Sequence, residues 1–185
     1  MNKMNKKISA LLLGLLLVLP LLCQQKKGTR VEEYQVKIAM IKRFFDFIKW
    51  PPAAGNSDPV KFVIGIVGDT PLNDYIETLS SQIIIPEKKI AFKAITDLAQ
   101  VKECHVLIIG SIDAERLKEI LSVTGDLPIL SISETEGFAE IGVLINLFKI
   151  DNNVKFEINY QSVKRSGLVF SSKLYKLARL IDFPR

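Results

Sequence analysis

From Val31 to Trp50 the apolar residues Val31, Tyr34, Ile38, Ile41, Phe45 and Ile48 recur at intervals of three and four, one stripe of a helix. Phe44 and Phe47 widen that stripe, as packing on a sheet requires. Pro51-Pro52 ends the helix, because proline lacks an amide donor and restricts its predecessor. Trp50 is left at the helix exit, and Ala53 to Pro59 reads as a loop. The period then changes. Lys61–Val67 is apolar on both faces, as a buried strand should be. Gly68-Asp69-Thr70-Pro71 turns into a helix over Leu72–Leu79, with Thr70 as cap and Pro71 at its first position. Lys89–Ile95, Cys104–Ile109 and Pro128–Ile132 read as further strands, Asp97–Lys102 and Ser111–Leu121 as helices. Ser133-Glu134-Thr135-Glu136 resembles a capping box opening a short helix or turn.

The last third changes pattern again. Leu144–Ile150 and Val154–Tyr160 flank the polar turn Asp151-Asn152-Asn153 and predict a hairpin. A polar link, Gln161–Gly167, leads to a terminal helix packed through Leu174, Leu177, Ala178 and Ile181. Strand–helix alternation followed by a hairpin predicts an α/β fold. The expected form is a three-layer αβα sandwich with a mixed sheet, a Rossmann-like core and a C-terminal antiparallel hairpin.

The opening residues concern destination rather than fold. Met1–Lys7 holds three lysines and no acid, and Ile8–Leu22 is a nearly continuous apolar run of 15 residues. That combination fits a secretory signal peptide, and the run is short against the roughly 20 residues of a spanning helix. An uncleaved membrane anchor is the alternative. Cys23 stands where a lipidation cysteine would, although Pro20-Leu21-Leu22 departs from the usual small residue before it. The expected organisation is 1–22 signal peptide, 23–30 tether and 31–185 one α/β domain, in the periplasm, with membrane attachment only through a lipid or an uncleaved leader.

Removing residues 1–22 takes away three lysines and no acid, so the formal net charge falls from +5 to +2. That balance gives no argument for nucleic acid. With Cys23 at the leader boundary, Cys104 is the one thiol of the domain, and an internal disulfide is not expected. Cys104 reads as a core residue. His105, the sole histidine, has no ligand at metal spacing. Gly65 and Gly68 lack the third glycine of a dinucleotide fingerprint. No nucleophile–base pair stands out, so no catalytic residue, metal or cofactor is expected.

Five segments, in order, resemble the YfiR family of exported regulators (DUF4154). They are FFDFIKWP, FVIGIVGDTPL, CHVLIIGS, ILSISETEGFAEIGVLINL and VKFEINYQSVKRSGLVFSSKLYKLA. Ile141-Gly142 stands where the family usually has two glycines, and cysteines that bridge in some members are lacking. The resemblance implies a periplasmic binding protein, often dimeric, that acts on the periplasmic sensor region of an inner-membrane signalling protein. The best-known role is repression of a diguanylate cyclase, which lowers cyclic-di-GMP. An exported small-ligand sensor working with a histidine kinase or transporter is the second reading, and an enzyme the third. Candidate contact residues are the aromatics Phe44, Phe47 and Trp50, and the polar set Asn146, Asn159, Arg165 and Ser166. Against them stand plain structural roles: Phe44 and Phe47 in the core, Arg165 fixing the hairpin to the last helix, Asn159 satisfying local backbone.

Overall fold

The structure is a computed structural model that describes residues 30–52, 54 and 60–182. The leader, Cys23 and the tether lie outside the described residues. The chain divides into two compact units, Met1–Glu33 and Tyr34–Arg185. The sheet and its helices belong to the second unit, apart from the first turn of the Arg30–Phe47 helix.

That helix, α1 (Arg30–Phe47), turns its stripe of Tyr34, Ile38, Ile41 and Phe44 onto the sheet. It ends three residues before Trp50. Ile48–Lys49 becomes strand β1, because Phe170 and Val169 of β8 (Val169–Phe170) offer an antiparallel partner. The main sheet contains β2 (Lys61–Val67), β3 (Lys89–Ala94), β4 (Val106–Ile109), β5 (Leu130–Ser133), β6 (Ile145–Ile150), β7 (Asn153–Asn159) and β9 (Arg179–Ile181). Their order is β3-β2-β4-β5-β6-β7-β9. The first five are mutually parallel, β7 runs antiparallel to β6, and β9 runs parallel to β7.

The sheet has a core on each face. Phe62, Ile64, Ile66, Val106, Ile108, Leu130, Ile132, Ile145 and Ile158 meet α1, α2 (Ile76–Gln82) and α6 (Ser172–Leu177) on the first. Val63, Val67, Leu107 and Ile109 meet α3 (Ala114–Thr124) and the single turn α4 (Phe138–Ile141) on the second. The expected three layers and mixed sheet are therefore present. Gly65 sits in β2 where a Cβ would lie 2.6 Å from Cys104 Sγ and 2.9 Å from Ile95. The glycine is there for close packing.

Three local expectations are corrected. The hairpin loop has two residues, not three. Asp151 (φ 47°) and Asn152 (φ 65°) both occupy left-handed conformations, while Asn153 pairs with Ile150. Such a turn matches the twist of its strands. The link after β7 is a helix, α5 (Tyr160–Ser166). Its signals were in plain view, since Asn159 Oδ1 accepts from Ser162 N at 2.8 Å and Gly167 closes it at φ 73°. The terminal helix stops at Leu177, and Arg179–Ile181 leaves it as β9. Ala178 fits a helix's stripe with Leu174, Leu177 and Ile181, yet Ala178 and Leu180 both pack on the core in a strand's alternation, and the open backbone edge of β7 decides between them.

Candidate functional site

The sequence of strand positions in the sheet, with β3 and β4 on opposite sides of β2, creates a topological switch point beyond β2 and β4. Open α/β sheets usually bind ligands there. Here backbone fills it. Ser111 N donates to Asp69 O at 2.7 Å, and a Cβ on Gly110 would lie 2.3 Å from that same oxygen.

Charge gathers one strand further along. Glu134, in the turn after β5, accepts from Tyr34 Oη at 3.0 and 3.1 Å and from Thr70 Oγ1 at 3.4 Å, and pairs with Lys37. The lysine is 6% exposed and its ammonium lies 4.4 Å from the centre of the Tyr34 ring. Burial, and then the charge of Glu134, push the Tyr34 phenol up to about 12. Sequence reasoning missed this network. The available signal was Lys37 itself, one residue from Ile38 on the buried stripe, where a cation requires a carboxylate. Glu134 serves that need rather than capping a helix.

The second face of the sheet turns polar at the same place. Ser133 of β5 neighbours Asn146 of β6, which neighbours Glu157 of β7, and all three are buried. Ser133 Oγ donates to Ile109 O at 2.7 Å. Asn146 Nδ2 donates to Glu157 Oε1 at 3.2 Å, while Arg179 Nε donates to Glu157 Oε2 at 2.9 Å and the same guanidinium binds that oxygen again through Nη2. The guanidinium also lies 4.3 Å from the centre of the Phe148 ring. Because α4 is one turn long, this part of the sheet carries a cleft of about 770 Å³ instead of a helix. Glu134, Glu136, Glu140 and Glu157 line it, with Lys149 and Arg179.

The predicted contact residues do not form one patch. Phe44 is 2% exposed and packs edge-on against Phe156 at 5.2 Å. Phe47 is half-buried beside an apolar groove of about 490 Å³ between α1 and α6, which Val36, Met40 and Leu177 also line. Trp50 belongs to another cavity, of about 480 Å³, shared with Phe45, Phe62 and His105. Its indole Nε1 donates to His105 O at 3.1 Å and its ring stacks on Phe45 at 5.8 Å. Asn146 lies in the acidic cleft. Asn159 spends its amide on structure, capping α5 and donating to Ala139 O at 2.8 Å and Asp182 Oδ2 at 3.1 Å. Ser166 is buried, donating to Val163 O and accepting from Leu168 N. Arg165 is exposed and donates to Ser162 Oγ at 3.0 Å within its own helix. The guanidinium that grips Glu157 belongs to Arg179, not Arg165.

His105 is a structural residue. It is 4% exposed, stacks on Phe62 at 4.4 Å, and its Nδ1 accepts from Val63 N at 3.1 Å. Burial, then the nearby charge of Lys88, hold its pKa below the ordinary value. Cys104 is a fully buried free thiol that burial pushes up to about 11. Among the described residues no group of three or more His, Cys, Asp or Glu is placed to hold a metal ion, and no helix is long and apolar enough to cross a membrane.

A family model described as YfiR/HmsC-like (DUF4154) matches residues 34–179, most of the second unit. The chain belongs to the YfiR/HmsC-like family. Membership supports a regulator of signalling. Among solved structures this YfiR/HmsC-like domain is similar to a conserved domain protein from Vibrio cholerae O1 biovar El Tor, at 13% identity and a TM-score of 0.50, with 80% of this chain covered. The ABC domain from Streptococcus pneumoniae solved in complex with L-Trp is similar at 10% identity and a TM-score of 0.48 over 65% of this chain. The chain spans 59% and 55% of those two chains' lengths. At such identity the Vibrio cholerae match speaks for the fold alone.

Proposed function

We propose that this protein is a periplasmic regulator that docks on the sensor region of an inner-membrane signalling protein and controls its output. In the specific form we favour, the receptor is a diguanylate cyclase and docking lowers cyclic-di-GMP. Membership of the YfiR/HmsC-like family over residues 34–179 carries this reading, since such domains serve as regulators rather than as known enzymes. The regulator shifts its receptor toward the inactive state only by binding that state more tightly.

The apolar groove between α1 and α6 is the docking surface we assign to this role. Leu177 is 71% exposed and Val36 46%, on elements whose other faces are firmly buried. Covering one leucine contributes about 1.5–3 kcal/mol. Leu177→Asp should therefore weaken receptor binding by roughly tenfold or more while leaving the melting temperature nearly unchanged. Co-expression with the candidate cyclase, read by cyclic-di-GMP level and by pull-down from membranes, tests the whole reading. Absence of both binding and a change in cyclic-di-GMP would refute it. The expected homodimer is checked by sedimentation of the mature chain.

A further inference from the structure

We propose that the cleft over β6 and β7 binds a small organic cation carrying N–H donors, an alkylammonium or guanidinium compound. This goes beyond docking on a protein receptor and stands or falls separately from it. The starting observation is Asn146, 1% exposed, whose Oδ1 has no hydrogen-bond donor among the described residues. Its orientation is fixed by chemistry. The amide nitrogen faces Glu157, and a carboxylate held by Arg179 only accepts. Turning the amide over would set oxygen against oxygen. Asn146 lines the cleft, and a buried acceptor left without a donor is destabilising.

The walls select the charge of the donor. Four glutamates and two basic residues line the cleft; with the buried Lys37 that pairs with Glu134 counted, the excess is one negative charge. Glu134 and Glu157 are engaged below, while Glu136 and Glu140 are exposed at the rim. Anionic ligands are disfavoured, and neutral hydroxyl compounds gain nothing from the rim. The cleft, about 770 Å³, has room for a short diamine. Asn146 Oδ1 has less than 1 Å² of accessible surface, so a ligand N–H reaches it only once side chains lining the cleft shift.

Isothermal titration of the mature chain with 1,4-diaminobutane tests the site, with 1,4-butanediol and sodium chloride at matched ionic strength as controls. Saturable diamine binding without diol binding is expected. Glu136→Gln/Glu140→Gln, whose side chains are exposed, should fold normally and weaken the diamine by roughly three- to tenfold. Asn146→Leu should weaken it by more than roughly tenfold, as loss of a hydrogen bond to a charged group does. An adventitious cation effect, in which sodium chloride reproduces the heat, overturns the proposal. So does absence of diamine binding, or diamine binding that the rim double variant leaves unchanged. A lysine side chain of a protein receptor is a second source of the same ammonium. Competition of free diamine against the receptor's sensor region separates the two, since only a shared site gives displacement.

Discussion

His105 shows how much one buried ring can fix. Its Nδ1 accepts from Val63 N, so the neutral tautomer carries its proton on Nε2. Protonation would bring N–H against N–H. With the folded pKa depressed, stability is fully present above the unfolded value near 6.5 and is lost as pH falls below it toward the lower folded value. Melting temperature should therefore drop as pH falls below about 6.5, and His105→Gln should flatten that slope. An unchanged slope in the variant would remove His105 as the cause. At Gly65 the expectation is steric. Gly65→Ala meets Cys104 Sγ and Ile95, and should destabilise by about 1–3 kcal/mol in chemical denaturation. Gly65→Ala combined with Cys104→Ala should recover part of that loss. A free-standing effect of equal size in the double variant would refute the contact. Cys104 was readable as core. The histidine's partner was not, because Val63 is 42 residues away in sequence.

Helix α5 and strand β9 mark where reading elements from a single chain runs out. Asn159 and Gly167 announce the start and end of α5, yet seven residues with Val163 as the main buried anchor look like a polar link. β9 has no such local signal. Its place is set by register against β7, with Glu157 opposite Arg179. α1 was legible because one buried stripe imposes a helical period, and the central parallel strands because burial on both faces gives continuous apolar runs. At this scale Asn159→Ala should cost about 1–2 kcal/mol, since it removes a cap and two further hydrogen bonds. Arg165→Ala should stay within about 0.5 kcal/mol. Paired urea denaturation of the two variants checks the contrast, and equal losses would contradict it.

The second unit is built on one main sheet with unlike faces. One face is apolar throughout and carries helices to its end. The other begins apolar at β2 and β4 and finishes polar at β6 and β7, where the second layer thins to a single turn. Hydropathy along the chain shows each strand's composition but not which strands share a face, so the candidate residues Asn146 and Asn159 were found without their setting. Glu157 and Arg179 became partners only through β9. The two ends of the sheet bear on the protein's behaviour in a crowded compartment. Exposed strand edges invite like chains to pair, and proteins blunt them with short strands or lysines. β9 offers three residues, while β3 carries Lys89 and Lys93, the latter held 2.8 Å from Glu103. Each border of the sheet is thus guarded against fibril-like growth, by shortness at one side and by charge at the other.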